Sequence, residues 1–324
     1  MTASNKKLLS LLIKATILVL TYVFIYHQFL KKGKDIQEFK NLMQAIGSGQ
    51  VMFVMSLVFG LMLINWLLEA LKWQYLIRNL EPVTFWKAIE CVFCGLTWAI
   101  FTPNRLGEYG GRVMFLSPRK RVYGVFAMAV GSFGQNVITN VLGSIAIMWF
   151  TVTFLHLKLW ITAIIYLLGV LNITVFLVCF FNIKWLVWLL NKISFLKKYH
   201  RFFEIIGKYK FDELHRIILF CLARFFAFSC QYYILINLFI PQIPLYEILL
   251  LTFIVFFIQS ALPSLDLVDV AVRSVTAATI FAYVTNQTVA VIAVFSAIWL
   301  INLIIPAILG TVFNLKLNFF DRNS

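Results

Sequence analysis

Apolar runs of about twenty residues, separated by short polar or basic stretches, recur along the whole chain. A helix needs about 20 apolar residues to cross ~30 Å of hydrocarbon. Runs at 8–30, 51–71, 122–154, 159–181, 217–240 and 289–315 meet or approach that length. Of these, 122–154 is long for one crossing and reads as a surface helix or elbow leading into a span. Two further runs, 85–101 and 246–262, hold only about 17 residues each and are soon followed by a proline and charges. The pattern predicts an all-α, polytopic membrane helix bundle: about 6 full spans plus two re-entrant or broken helical hairpins. It forms a single integral membrane domain over 1–324, with halves at about 1–155 and 156–324.

Composition agrees with this. The chain is 62% hydrophobic and only 13% charged, against about a quarter in soluble domains. Its net charge of +15 sits between the apolar runs. That placement points to cytoplasmic loops and anionic lipid headgroups, and away from nucleic acid. The first run is longer than a signal-peptide core and lacks a small-residue cleavage site, so no cleaved signal is expected. Lys6 and Lys7 put the N-terminus inside; the four lysines of 31–50 oppose that orientation, but the later loops outweigh them. Both termini are expected in the cytoplasm of a bacterial inner-membrane protein. Segment 184–216 carries eight Lys or Arg interleaved with Trp185, Trp188, Phe195, Phe202 and Phe203. It reads as a cytoplasmic amphipathic segment along the interface, or as a solvated loop with two short helices.

The chemistry concentrates where the two short runs end. TPNRLGEYGGR, at 102–112, places Pro103, Arg105, Gly107, Glu108, Gly110, Gly111 and Arg112 between apolar stretches. A charge at mid-bilayer costs about 2.5–3.5 kcal/mol even on the lenient insertion scale, so the stretch is either a surface loop or a broken helix lining a cavity. In the second half LPSLDLVDVAVRS holds Pro263, Asp266, Asp269 and Arg273. Glu108 precedes Arg112, and Asp269 precedes Arg273, by one helical i,i+4 step, which puts each pair on one face. Interrupted hydrophobic segments at matching places in two halves point to a transporter's central site and an inverted repeat. Elsewhere, Glu69 and Lys72 read as an interfacial ion pair of small worth. Arg224 either snorkels or meets a buried carboxylate. Gln135, Asn136, Thr139 and Asn140 read first as hydrogen-bonding glue between helices, with a cavity lining as the alternative.

Pro103, Gly107 and Glu108 form a P-x-x-x-G-E signature, with Arg112 close behind. It resembles the flippase-like membrane domain family, also described as the lysylphosphatidylglycerol synthase transmembrane region, over nearly the whole chain. Pro263 and Asp269 match that family's second signature, but Leu265, Asp266 and Leu267 replace its glycine-rich turn. The resemblance implies movement of a lipid or lipid-linked headgroup between leaflets, and a possible lipid-biosynthesis partner protein. Only a short tail follows the last apolar run, so the aminoacyl-transferase domain of two-domain members is not expected.

No catalytic constellation is legible. His27, His156, His200 and His215 are dispersed, and Cys91 and Cys94 sit within an apolar segment where helix packing explains them. No metal or other cofactor is expected. The expected function is lipid translocation, with Arg105, Arg112 and Arg273 holding a headgroup phosphate and Glu108, Asp266 and Asp269 completing the substrate site. Pro103, Gly107, Gly110, Gly111 and Pro263 would supply bends and close approach. The alternative is a membrane lipid-modifying transferase or synthase, in which Glu108, Asp266 and Asp269 act as acids or bind magnesium.

Overall fold

A computed structural model describes residues 46–99, 102, 105–192, 207–261 and 266–315. The chain divides into two compact units, Met1–Val51 and Met52–Ser324; everything below concerns the second. The run at 8–30, the centre of the basic segment and the tail lie outside the described residues. Among those residues the protein is all-helical, and five helices are long and apolar enough to cross a membrane.

The helices are α1 (Ser48–Ile77), α2 (Phe85–Ala99), α3 (Leu106–Val113), α4 (Arg121–Phe150), α5 (Leu159–Phe181), α6 (Ile183–Lys192), α7 (Phe211–Phe239), α8 (Leu245–Ala261), α9 (Asp266–Phe281), α10 (Thr288–Trp299) and α11 (Ile305–Leu315). The expected elbow at the start of the third run is not formed. Arg121 to Leu155 is one helix of 35 residues, ending in a π-turn at Thr151–Leu155. Its polar residues fail to break it because Thr139 and Asn140 return their side-chain hydrogen bonds to carbonyls one turn back. A second π-turn, Leu300–Ile304, joins α10 to α11.

Side-chain ties show which helix ends lie together. At one end, Tyr209 donates to the Leu76 carbonyl at 2.9 Å, linking the end of α1 to the approach to α7. Burial, reinforced by the Glu213 charge, pushes the Tyr209 phenol up, so it stays a donor. Arg78 pairs with Glu213 at the same place. Glu81, between α1 and α2, accepts from the Ser117 hydroxyl at 2.6 Å and the Ser117 amide at 3.2 Å, just beyond α3. The α2–α3 hairpin therefore returns to the end it starts from. At the other end, Trp149 of α4 meets Tyr246 of α8, with ring centroids 6.2 Å apart. Phe150 meets Tyr283, just past α9, at 4.9 Å. The α8–α9 hairpin thus starts from, and returns to, the opposite end.

The Glu81 tie is pH-sensitive. Partial burial opposes its ionisation, but the Ser117 hydroxyl and amide and the Lys120 charge together hold the carboxyl below its usual range. A depressed native pKa stabilises above the unfolded value of about 4.3 and is lost as pH falls through the native one. The protection of the Ser117 amide against hydrogen exchange, taken relative to its intrinsic rate at each pH, should therefore fall under acid, and already be low at neutral pH in Glu81→Ala.

The hairpins pack crosswise. α2 lies against α11, and α8 lies against α4. At both contacts a glycine admits the neighbour. A Cβ on Gly310 would overlap the Phe93 carbonyl of α2, and one on Gly143 would stand 2.5 Å from Phe257 Cβ of α8. Thr97 donates across the first contact to the Ala307 carbonyl at 2.8 Å. Gly310→Ala should lower the unfolding temperature, at an overpacking cost of about 1–3 kcal/mol, read by thermal unfolding in detergent.

Candidate functional site

The tips of the two hairpins face a cavity of about 490 Å³. From the first hairpin come Arg105, Glu108 and Tyr109, and from the second Gln259, Ser260 and Arg273. Asn65, Trp66, Glu69 and Lys72 of α1, a stripe of α4, Arg224 and Phe228 of α7, and Trp299 and Asn302 complete the wall. The volume falls within the 300–1,000 Å³ of ordinary ligand sites.

Glu69 is the hub. It is 4% exposed and lies eight residues before the end of α1, about 12 Å along the helix at 1.5 Å per residue. Its Oε1 accepts from Arg112 Nη1 at 2.5 Å, and its Oε2 pairs with Lys72 Nζ at 2.7 Å and with Arg224 Nη1. Asn65, one turn earlier on the same face, accepts from Arg224 Nε at 3.0 Å. Arg112 also pairs with Glu108, whose other oxygen is 3.2 Å from Arg105 Nη2. The result is a chain of charges, Arg224–Glu69–Arg112–Glu108–Arg105, buried at its centre and joining α7, α1 and α3. The Trp66 and Trp73 rings lie 5.4 and 5.9 Å from the Arg224 and Arg112 guanidinium carbons.

Cations outnumber carboxylates. Lys72, Arg105, Arg112, Arg224 and Arg273 stand against Glu69 and Glu108 among the described side chains. The side chains of Asp266 and Asp269 lie outside those described. Positive charge gathered in a low-dielectric pocket favours an anionic ligand.

The tip of the first hairpin shows how its backbone is satisfied. Arg105 adopts φ 56°, the left-handed conformation, and opens α3. The Thr102 hydroxyl accepts from the Gly107 amide at 2.6 Å and donates to the Trp98 carbonyl at 3.2 Å. One side chain thus satisfies two backbone groups that lipid could not.

Several expectations need correction. Glu69 and Lys72 are not a peripheral pair: helix α1 runs to Ile77, past the expected end near residue 71, so the pair is buried. Arg224 meets the buried carboxylate that was one of its two readings. Arg112 is 1% exposed and sits behind the wall, bound by both glutamates, so it braces the site. Glu108 has both oxygens engaged by arginines, which disfavours the magnesium ligation of the alternative transferase reading. Gln135, Asn136 and Thr139 line the cavity; only Asn140 acts as interhelical glue, with Asn172 of α5. The glycines Gly107, Gly110 and Gly111 all have negative φ, so none makes the bend. Pro103 and Pro263 lie outside the described residues. Cys91 and Cys94 are buried and form no disulfide.

Sequence reasoning missed Glu69 as a site residue, and missed Asn65, Gln259, Trp299 and Asn302 altogether. For Glu69 a signal existed: Asn65, Glu69 and Lys72 share one helix face within an apolar run. The chain matches no protein-family model, no curated protein and no solved structure.

Proposed function

We propose that this protein moves a lipid with an anionic headgroup between membrane leaflets, passing the headgroup through the cavity while the acyl chains stay in hydrocarbon. The observation that carries this reading is a cation-rich cavity held between two hairpins that start from opposite ends of the bundle. On this reading the hairpins are re-entrant, and the crosswise packing of α2 on α11 and α8 on α4 reflects an inverted repeat. The sequence resemblance to flippase-like membrane domains points the same way.

The orientation follows from charge. Arg78, Lys87, Arg119, Lys120, Arg121, Lys208, Lys210 and Arg216 all lie at the end where α1 finishes, while Lys158 and Glu247 are the charged residues described at the other. The basic end faces the cytoplasm. The first hairpin then enters from the cytoplasm and the second from outside. A charged headgroup crossing hydrocarbon needs a lining that replaces water. Arg224 can supply it by exchanging Glu69 for a phosphate oxygen, since guanidinium matches both groups bidentately.

The test is lipid movement in proteoliposomes, using fluorescent phospholipids and a membrane-impermeant quencher. Arg224→Met should slow the movement of anionic lipid by about tenfold or more, the worth of a charge-assisted hydrogen bond. Folding should survive, because Glu69 keeps Arg112 and Lys72. Wild-type vesicles that move lipid no faster than empty ones, or an Arg224→Met rate equal to wild type, would remove the proposal.

A further inference from the structure

Four buried polar atoms in the cavity wall have no hydrogen-bond partner: Gln135 Oε1, Gln259 Nε2, Trp299 Nε1 and Asn302 Oδ1. Trp299 and Asn302 are each 6% exposed. Leaving such groups unmatched is costly. The geometry of Asn302 explains which of its atoms remains. Its Nδ2 donates to Gln231 Oε1 and to the Ile298 carbonyl, both at 3.0 Å, and Gln231 Nε2 in turn donates to the Val58 carbonyl at 2.9 Å. Two acceptors therefore fix the amide, and Oδ1 is left over. It sits in the π-turn between α10 and α11, an irregularity that often marks functional sites.

The set is mixed: the Trp299 indole donates, Asn302 Oδ1 accepts, and the Gln135 and Gln259 carboxamides can turn to do either. An ionised phosphate can only accept, so it satisfies Gln259 and Trp299 but not Asn302 Oδ1. An ammonium can only donate. It would also meet Glu69 and Glu108 already engaged by arginine, and would leave the Trp299 Nε1 donor unmatched. A hydroxyl both donates and accepts, and a headgroup bearing several of them next to a phosphate meets all of these demands.

Resting on the translocation reading, we infer that the transported lipid carries a hydroxyl-rich anionic headgroup of the polyol or glycosyl phosphate type. The arginines hold the phosphate, and the carboxamides with the Trp299 indole read the hydroxyls.

Equal-charge lipids separate the two contributions. The full chain, in phosphatidylcholine nanodiscs, is equilibrated with phosphatidylinositol, phosphatidylglycerol, phosphatidylmethanol or phosphatidylethanolamine, and the lipid retained is counted by native mass spectrometry. Phosphatidylmethanol has the same phosphodiester charge as the first two but no hydroxyl. Phosphatidylinositol should be retained about tenfold over phosphatidylmethanol, with phosphatidylglycerol between them and phosphatidylethanolamine last. In Gln135→Leu/Gln259→Leu that preference should shrink towards unity while phosphatidylmethanol retention holds. Trp299→Phe, which keeps an aromatic side chain and removes the indole N–H, should narrow the preference in the same direction and serves if the double variant does not fold. Equal retention of the three anionic lipids by wild type overturns the hydroxyl assignment and leaves the anionic-lipid reading standing. Preference for phosphatidylethanolamine, or retention of no anionic lipid, overturns both.

Discussion

Glu69→Gln is expected to destabilise the protein by about 3–5 kcal/mol, the usual cost of removing one partner of a buried ion pair. The substitution hardly changes the shape of the side chain, so the loss is electrostatic. Arg112 retains Glu108, but Arg224 and Lys72 make no other direct ion pair among the described side chains. Glutamine can still accept one hydrogen bond, which cannot offset two cations drawn out of water. Glu90→Gln is the contrasting case. Glu90 pairs with Lys87 at 3.4 Å with both side chains well exposed, and its loss should stay within about 0.5 kcal/mol. A double-mutant cycle with Arg224→Met isolates the pair. Removing both should cost less than the sum of the single losses by about 1 kcal/mol or more, because the second change relieves the charge that the first left stranded. Thermal unfolding in one detergent measures all four proteins. If Glu69→Gln unfolds at the wild-type temperature, the carboxylate is not the hub that its contacts describe.

This contrast also shows what a one-dimensional reading can reach. The spans were legible because crossing hydrocarbon demands about twenty apolar residues in a row, and the described helices at 159–181 and 245–261 match their runs to within a residue or so. The hairpin tips were legible because proline, glycine and charge are costly in lipid and so conspicuous there. Arg105, Glu108 and Arg273 accordingly line the cavity. Glu69 was misjudged for a physical reason: hydropathy cannot distinguish a helix end at the membrane surface from one covered by other helices. Trp73, Leu76 and Ile77 continue α1 under protein cover, so an apparent border residue is interior. Trp299 and Asn302 gave no signal because their role comes from contacts far apart in sequence, such as that between Asn302 and Gln231. The α4 residues were ambiguous for a simpler reason: whether a polar stripe meets a neighbour or a void depends on helix placement.

The glycines of the first hairpin should separate sharply in effect, Gly111→Ala being severely damaging and Gly110→Ala harmless or stabilising. An added Cβ at Gly111 would lie 2.7 Å from the Gly95 Cα, 3.0 Å from the Gly95 nitrogen and 3.1 Å from the Cys94 carbonyl oxygen. All three are backbone atoms of α2, so no side chain can turn aside. Overpacking alone costs about 1–3 kcal/mol. Here α3 must also shift, carrying Arg112 away from a 2.5 Å contact with Glu69 on α1 and adding part of the cost of a broken buried pair. The same squeeze recurs from the other side: a Cβ at Gly95 would stand 2.8 Å from Arg112 Cγ and 2.9 Å from the Glu108 carbonyl. Gly110 meets only the Trp98 ring, at an ordinary 3.8 Å, with negative φ. Alanine there should gain about 0.5–1 kcal/mol from helix propensity. Thermal unfolding and lipid movement, measured on Gly110→Ala and Gly111→Ala together, decide the matter. Equal damage at both positions would mean that α3 does not depend on this close approach, and that Arg112 finds Glu69 by some route other than contact between two bare helix backbones.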